Sequence, residues 1–239
     1  MKNKELDILG YRVNTNYPDI PVSQKTIINT INPHSYCVAE NDEDFQNALK
    51  TSDVLIPDGI GIVWAAKILK GQDIPRIAGA DMHAYLLEQA EEHKLKVFYL
   101  GSSEETLEKI EQRISKEYSN IEVDSFSPPY KEQFSEADNK KMRAQVNAFK
   151  PDILFVGLTA PKQEKWVYQN EENLQANIVC SIGAVFDFYA GTVQRPGPIW
   201  RKLGLEWLPR LLKEPQRLWK RNFVSTPLFL FEILKEKVK

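Results

Sequence analysis

A carboxylate followed by two glycines is the short string most suggestive of chemistry in this sequence. Asp58 comes directly after the apolar run 54–57, and Gly59 and Gly61 follow it. A carboxylate at the end of a buried strand can accept a proton as a general base. The same position also suits an N-cap for a helix that begins near Ile60. These residues alone leave both interpretations open.

Two further strings carry side chains that could bind an anion or a sugar. Arg76 shares a string with Asp81, so the pair could stabilise developing negative charge and hold hydroxyls, or form an exposed ion pair of little value. Lys162 and Gln163 follow Pro161, and they could contact a phosphate or sugar through a charge and a non-titrating amide. The alternative for this string is an ordinary helix start, because proline suits the first helical position.

The elements that would position these side chains follow one pattern, in which an apolar β-rich run ends near a glycine and helix-forming residues follow. The glycines are Gly59, Gly101, Gly157 and Gly183. Runs that are apolar on both faces are typical of central parallel strands covered by helices. Between the second and third glycine we predict a helix over 104–117, a strand over 121–126 and a helix over 135–149. This βαβαβ order predicts an α/β fold with a doubly wound, mostly parallel, Rossmann-like sheet.

The glycines should lie together, because the carboxyl ends of parallel strands meet at one edge of a sheet, where ligands bind. There they would let a phosphate or nucleoside approach backbone N–H groups at helix N-termini. No string completes G-x-G-x-x-G or a P-loop, which argues against a nucleotide-sugar epimerase or oxidoreductase. Further upstream, Thr26–Asn32 and Tyr36–Ala39 predict a helix–strand unit, and a helix over 42–50 follows.

Charge is unevenly distributed along the chain. The net charge is −2, but residues 192–239 hold 11 Lys or Arg against 4 Asp or Glu, a local +7 that leaves −9 on residues 1–191. An acidic body of this kind would repel nucleic acid. Apolar residues make up 42% of the chain, enough for a real core, yet no apolar run reaches the roughly 18 residues of a spanning helix. With no apolar segment behind the N-terminus, we expect a cytoplasmic protein.

Six ordered strings carry a family resemblance. They are PDGIG at 57–61, RIAGAD at 76–81, APKQE at 160–164, GAVFD at 183–187, AGTVQRPGP at 190–198 and EWLPR at 206–210. Together they resemble the WecG/TagA/CpsF family of bacterial glycosyltransferases. The resemblance implies inverting transfer of an N-acetylmannosamine-type sugar from a UDP donor to a polyprenyl-diphosphate-linked N-acetylglucosamine. The reaction would serve cell-surface polysaccharide or teichoic acid biosynthesis at the inner face of the cell membrane.

The resemblance also implies roles for individual residues. Asp58 would be the general base, with Arg76 and Gln163 also catalytic. Asn32 stands where the family has the Thr of a Thr-Pro-Asn-like string, so it becomes a substrate-contact candidate. Further substrate contacts are expected from Gly59, Gly61, Asp81, Gly101, Tyr130, Gly157, Lys162 and Asp187, with Tyr130 and Asp187 near the uridine.

A metal ion is not expected, although Asp42-Glu43-Asp44 has the D-x-D form found in metal-dependent glycosyltransferases. We predict that Asn41 caps a helix and that these three carboxylates form its acidic first turn, where they complement the helix dipole. The family is regarded as metal-independent, which agrees. The only small molecule required would be the UDP-sugar, as a substrate.

The C-terminal segment predicts an amphipathic appendage. On a helical wheel its cations lie in one arc beside a stripe of Trp and Leu, as in a helix that lies in a membrane interface. We therefore divide the chain into a catalytic body, 1–195, and an appendage, 196–239, whose residues 200–234 would meet an anionic membrane. Pro215 should divide the appendage helix in two. A non-catalytic module that binds anionic lipid is the competing hypothesis, and the oligomeric state is not predicted.

The resemblance places specific cations of this appendage near the lipid diphosphate. Arg210 and Arg217 match the phosphate-contacting arginines of the family by position. Lys220 stands where a third arginine is expected, with Arg221 adjacent to it, so the third role stays open between these two residues.

Overall fold

The computed structural model describes residues 5–19, 24–197, 199–200 and 206–238, and of Arg217 only the backbone. Its strands are β1 (Glu5–Ile8), β2 (Tyr11–Asn14), β3 (Thr26–Ile31), β4 (Val54–Pro57), β5 (Lys96–Gly101), β6 (Glu122–Phe126), β7 (Ile153–Gly157) and β8 (Ile178–Ser181). The first two form an antiparallel hairpin. The other six form one sheet in the order β4-β3-β8-β7-β5-β6, with every neighbouring pair parallel.

Helices alternate with these strands and cover the sheet. They are α1 (Pro33–Ala39), α2 (Glu43–Lys50), α3 (Ile60–Lys70), α4 (Gly79–His93), α5 (Glu104–Glu117), α6 (Glu136–Phe149), α7 (Lys162–Asn170), α8 (Val185–Ala190), α9 (Trp207–Lys213), α10 (Pro215–Lys220) and α11 (Thr226–Val238). A π-helical turn, Arg221–Ser225, joins α10 to α11. The predicted α/β class and the βαβαβ order from β5 to β7 are confirmed. Pro215 starts α10, as the sequence predicts.

One predicted unit is wrong in its order, because a strand, β3, comes before the helix α1. Five of the six residues in β3 are Thr or Ile, whose branched side chains favour an extended backbone. Asn32 then caps α1 and Pro33 occupies its first turn, the usual signals of a helix N-terminus. The Asn-Pro pair therefore marks the change from strand to helix.

The edge strand β4 is buried along its whole length, although the sequence suggested a central strand. The hairpin accounts for this burial, because the Leu55 N–H donates to Oδ1 of Asn14, the last residue of β2, at 2.9 Å. Leu9 and Gly10 form the hairpin turn, both with positive φ, as a two-residue type I′ turn requires. The hairpin thus covers an edge that would otherwise expose unpaired backbone groups.

Chain direction reverses within the sheet and defines a crevice. After β5 the chain moves outward to β6, whereas after β7 it moves the opposite way to β8. Ligands of open α/β sheets bind at such a point, beyond the carboxyl ends of the strands. The strands β8, β3 and β4 lie on the other side of β7, and because they are parallel to it their carboxyl ends lie along the same edge of the sheet.

The last helix packs into the body. Phe229 and Ile233 of α11 are fully buried in a cluster that also contains Tyr36 of α1 and Ile62 of α3. The Phe229 ring meets the Tyr36 ring edge to face at 5.2 Å between centroids. The division at residue 195 stays a prediction, but the core of the body includes side chains from beyond that point.

Candidate active site

Two polar residues lie side by side at the ends of β3 and β4. Ile31 pairs with Pro57 in the parallel register of these strands, so Asn32 and Asp58 are the next residues on each. The Asp58 N–H donates to the Ile31 carbonyl at 2.8 Å. Asn32 Oδ1 accepts two N–H groups of the first turn of α1, each at 3.0 Å. Its amide nitrogen is therefore the group suited to contact a ligand.

The glycines after Asp58 allow α1 and α3 to approach each other closely. Gly59, and not Asp58, is the N-cap residue of α3, with φ of 102°, so the N-cap interpretation of Asp58 is wrong. A Cβ at Gly61 would lie 2.5 Å from Pro33 Cγ. The carboxylate of Asp58 thus has no capping role, and it is available for chemistry at the sheet edge.

Opposing charges surround Asp58, which is half-buried. Burial raises the pKa of its carboxyl, and the carboxylate of Glu206 adds to that increase. Arg221, Arg76 and Arg210 act in the opposite direction. A carboxyl with a raised pKa among cations is suited to accept a proton while negative charge develops nearby.

A chain of ion pairs joins the body to the C-terminal helices. Glu206 receives Arg76 Nη1 at one oxygen and Arg195 Nε at the other, both at 3.1 Å. Arg195 Nη2 reaches Asp81 Oδ1 at 3.0 Å. Arg76 and Asp81 are therefore linked through two intermediate residues, so they do not form the simple exposed pair that the sequence left open.

The surroundings of this network fix it in place. The Ile77 N–H donates to the Pro57 carbonyl at 3.1 Å, which holds the Arg76 segment across the end of β4. Asp81 Oδ2 accepts the Ala78 N–H at 3.1 Å at the start of α4. Burial alone would lower the pKa of Arg195, but Glu206 and Asp81 outweigh it and raise that pKa.

The C-terminal cations have different surroundings. Arg210 of α9 lies over the Phe188 ring, with 5.2 Å from Cζ to the ring centroid, and its charge acts on Asp58. Arg221 also acts on Asp58, whereas Lys220 is exposed. Arg221 is thus the one of the two candidates whose charge acts on Asp58, and the third phosphate contact stays a prediction. The side chain of Arg217 lies outside the described residues, so its predicted phosphate contact stays a prediction.

The π-helical turn docks on α1 beside these cations. His34 Nδ1 and Ser225 Oγ are 2.9 Å apart, and Cys37 Sγ donates to the Ser225 carbonyl at 3.3 Å. Burial lowers the pKa of His34, and the charge of Arg221 lowers it further. A neutral His34 therefore suits a position next to this arginine.

Gln163 and Lys162 start α7 but have different neighbours. The Gln163 amide is buried, and its atoms lie 3.5 and 3.6 Å from the Cβ position that Gly183 would have. This places Gln163 at the end of β8, the strand next to β3. Lys162 Nζ donates to the Lys131 carbonyl at 2.8 Å and lies over the Phe134 ring. Lys162 therefore holds the loop before α6, and its predicted phosphate contact stays a prediction.

The remaining predicted contacts lie elsewhere along the edge. A Cβ at Gly101 would lie 2.5 Å from the Gly157 carbonyl oxygen, and one at Gly157 would lie 2.6 Å from the Phe186 ring. Close packing thus already requires both glycines. Tyr130 is fully exposed on the loop after β6, and Asp187 lies in the first turn of α8. Their predicted uridine contacts stay predictions.

The D-x-D string has a structural role. Asp42, not Asn41 as predicted, caps α2: its Oδ1 accepts the Phe45 N–H at 3.0 Å. Lys165 Nζ also pairs with Asp42 at 2.9 Å and with Asp44 at 3.8 Å. Across the described ranges no group of three or more His, Cys, Asp or Glu side chains is arranged to hold a metal ion.

Sequence reasoning missed three residues of this site. Arg195 and Glu206 lie in strings that carry the resemblance, but no role was assigned to them. Tyr17 precedes β3, and burial and the charge of Asp81 raise the pKa of its hydroxyl. The sequence offers one composition signal, for Glu206, which is the first carboxylate within the basic segment 192–239. Pairings with partners 114 and 130 positions away are not visible in a sequence.

The fold and this edge together define a class of protein, an α/β protein whose crevice combines a half-buried carboxyl with arginines. The chain belongs to the glycosyl transferase WecG/TagA/CpsF family, whose model matches residues 14–239. It is therefore a glycosyltransferase. Among the described residues no helix is long and apolar enough to cross a membrane.

Characterised relatives agree with this placement. An N-acetylglucosaminyldiphosphoundecaprenol N-acetyl-β-D-mannosaminyltransferase of Bacillus subtilis (strain 168) is 32% identical over 88% of this chain and 80% of its own length. Proteins of the same name from Bacillus spizizenii and Staphylococcus aureus (strain MW2) are 28% and 30% identical. They cover 98% and 88% of this chain, and the matches span 88% and 80% of their own lengths.

Proposed function

We propose that the protein transfers N-acetylmannosamine from a UDP donor, with inversion, to N-acetylglucosamine carried on a polyprenyl diphosphate. The observation that carries the proposal is Asp58 at the end of β4, with Arg76, Arg210 and Arg221 acting on its carboxyl. The names of the relatives support the choice of donor sugar and acceptor.

Proton transfer is assigned to Asp58. Its ionised carboxylate takes the proton from an acceptor hydroxyl while that oxygen attacks the anomeric carbon. The bond from that carbon to the UDP oxygen breaks, and its electron pair leaves with the diphosphate. Because burial raises the pKa of Asp58, its carboxylate is a stronger base than an exposed aspartate would be.

The departing diphosphate needs positive charge, and the arginines around Asp58 supply it. Arg76 lies on the body, and Arg210 and Arg221 come from the C-terminal segment. Fixed cations in a partly buried site stabilise a developing anion more strongly than solvent-exposed ones do. We propose that these arginines make a metal ion unnecessary.

The acceptor lipid requires contact with a membrane, and we propose that the C-terminal helices provide it at the inner face. Leu211 and Leu218 are buried, but many other large apolar side chains of this segment are exposed. They are Leu212, Trp219, Phe223, Val224, Leu228, Phe231 and Leu234. Exposed apolar side chains in a segment that also carries cations suit a membrane interface.

The direct test is transfer to a lipid-linked N-acetylglucosamine acceptor from UDP-N-acetylmannosamine, UDP-N-acetylglucosamine and UDP-glucose. We expect product from the first donor, and activity in excess EDTA within about twofold of that with Mg²⁺ if protein cations alone stabilise the diphosphate. Product from another donor alone would replace the sugar in the proposal. A loss in EDTA that Mg²⁺ restores would overturn the metal-free mechanism.

A further inference from the structure

Three buried polar atoms of α7 and β8 have no hydrogen-bond partner among the residues that the structure describes. They are Gln163 Oε1, Glu164 Oε2 and Ser181 Oγ, and the three residues are 3%, 2% and 1% exposed. Buried polar atoms in folded proteins are nearly always hydrogen-bonded. Glu164 is adjacent to a predicted catalytic residue, and nothing described so far uses it.

Glu164 orients the Gln163 amide. Gln163 Nε2 donates to Glu164 Oε1 at 2.8 Å, and the amide lies against Gly183. With its nitrogen held, Gln163 presents Oε1 as an acceptor. The amide needs this bond for a fixed orientation, because its two ends are nearly the same in shape and only hydrogen bonds distinguish them.

Glu164 has no counter-charge among its described neighbours. Lys165 Nζ is engaged by Asp42 and Asp44 of α2, and Lys162 Nζ by a carbonyl. The elements packed against α7 carry other titratable groups, among them Arg143 of α6, paired with Glu136, Glu43 and Lys50 of α2, Cys180 of β8, and Glu171 and Glu172 after α7. None of them contributes to the pKa shift of Glu164, which comes from burial and hydrogen bonds. Burial raises the pKa of Glu164 to about 7.

The protonated carboxyl is favoured by burial, which outweighs the two hydrogen bonds, from the Gln163 amide and from the Glu164 backbone, that favour the carboxylate. One of its oxygens accepts the Gln163 N–H, and the other, as O–H, becomes a donor. A buried carboxylate without a cation would instead carry a large desolvation cost. Protonated Glu164 and Gln163 thus together offer one donor and one acceptor at the end of β8.

We propose that Glu164 is a positioning residue that, in its protonated form, holds the Gln163 amide in the orientation needed to bind the donor substrate. The inference rests on the proposed function and deepens it. A glutamine at position 164 would reproduce the protonated form, with a carbonyl that accepts from Gln163 and an NH₂ group in place of O–H.

The first test is the pH profile of kcat/KM for the wild type, Glu164→Gln and Glu164→Ala, with exposed Glu172→Gln as the matched control. We expect wild type and control to lose activity above about pH 7, because deprotonation removes the O–H donor and leaves a buried charge without a counter-charge among its described neighbours. Glu164→Gln should stay within about threefold of wild type at pH 6 and lack this loss. Glu164→Ala should lie roughly tenfold below Glu164→Gln at every pH, because one hydrogen bond is lost. If Glu164→Gln is as impaired as Glu164→Ala, the proposal is overturned.

A second readout does not depend on turnover. Because the pKa of Glu164 is raised from 4.5 to about 7 on folding, the wild type should lose stability relative to Glu164→Gln as pH rises between these values. The difference in Tm should be smallest near pH 4.5 and level off above pH 7. A difference that does not change with pH would contradict the protonated form.

Donor binding separates this inference from the proposed function. UDP-N-acetylmannosamine titrated calorimetrically at pH 6 should bind wild type and Glu164→Gln alike and Glu164→Ala roughly tenfold more weakly. Absence of transfer with this binding pattern would overturn the proposed reaction and support the role of Glu164. Equal binding by all three proteins would overturn the role of Glu164 even if transfer is observed.

Discussion

Opposing effects set the pKa of Asp58, and their balance decides the pH range in which this residue can act as a base. Burial and Glu206 raise the pKa of its carboxyl, while Arg221, Arg76 and Arg210 lower it. The net increase means that the carboxylate, the form that accepts a proton, is lost at a higher pH than for an exposed aspartate. Activity should therefore decline as pH falls through this raised pKa.

Asp58→Asn should lower kcat by roughly 10²–10⁴-fold, the usual contribution of a general base. The fold should survive. When folding raises the pKa of an acid, the protein loses stability as pH rises through that pKa. The neutral variant should therefore melt no lower than wild type at pH 8. Turnover and thermal melts of purified protein measure both effects, with exposed Asp124→Asn as the control. Turnover close to that of wild type would remove Asp58 from the base role.

Residues near each other in sequence were more predictable than residues that meet through the fold. Asp58 was predicted from its position at a strand end, and Arg76 and Gln163 from the strings RIAGAD and APKQE. The structure places all three at one edge of the sheet. Glu206 and Arg195 were missed because their partners lie on other elements. Lys220 ends α10 and Arg221 begins the π-helical turn, and only the folded structure shows which of these neighbours acts on Asp58.

The start of α3 shows how an element positions the site. Its approach to α1 depends on Gly61, where a methyl group would lie 2.5 Å from Pro33 Cγ. In an open helix, alanine would stabilise by up to about 1 kcal/mol over glycine. Overpacking against a proline ring costs typically about 1–3 kcal/mol. The two effects have opposite signs, so experiment can separate them.

Gly61→Ala should therefore lower the free energy of unfolding, and it should also lower turnover, because Asn32 and Asp58 lie at the two sides of this contact. Denaturant unfolding measures the first effect. Gly197→Ala is a suitable control, since no atom of the described residues lies within 4 Å of the added methyl. An increase in stability for Gly61→Ala would mean that α1 and α3 separate easily.

The ion-pair network also acts at the scale of an element, because Glu206 ties the start of α9 to Arg76 and Arg195. Glu206→Gln removes a negative charge that raises the pKa of Asp58. The acid limb of the kcat/KM profile should then move to lower pH. Glu232→Gln, the same change on α11, should leave that limb in place. A shift of the acid limb to higher pH would show instead that α9 has moved away from the site and that Arg210 no longer lowers the pKa of Asp58.

Elements were predicted well where local signals agreed and poorly where they did not. The strand–glycine–helix strings gave β4, β5, β7 and β8, and serine caps mark the starts of α5 and α6. The hairpin β1–β2 went unpredicted, although Leu6, Ile8, Tyr11 and Val13 alternate with polar residues around a Leu-Gly turn. Each of its strands has only four residues, too short for a secure pattern.

At the scale of the whole molecule, the proposed membrane surface differs from the active-site cations and can be altered separately. Phe223 and Phe231 are 63% and 61% exposed. Changing both to Ser should weaken binding to phosphatidylglycerol vesicles roughly tenfold or more, because two rings that would be buried in the membrane are lost. The fold should remain, because Phe229 and Ile233 carry the packing of α11.

Vesicle co-sedimentation measures this loss, and Tyr130→Ser, an exposed aromatic residue on the body, is the control for binding. Salt should weaken the binding that remains, since exposed charges are screened within about 10 Å at ordinary ionic strength. Unchanged sedimentation of the double variant would mean that the lipid acceptor is reached without this surface.

The burial of Phe229 and Ile233 beside Leu6 and Ile8 has a consequence for how the protein is made. The hydrophobic cluster on the β3–β4 side of the molecule contains residues as far apart in sequence as Leu6 and Ile233. The ribosome adds Phe229 and Ile233 after the rest of this cluster, so a nascent chain leaves this apolar face uncovered until both residues have emerged. We expect nascent chains stalled before Phe229 to be bound by chaperones and cut readily by protease, and chains released after Ile233 to become resistant.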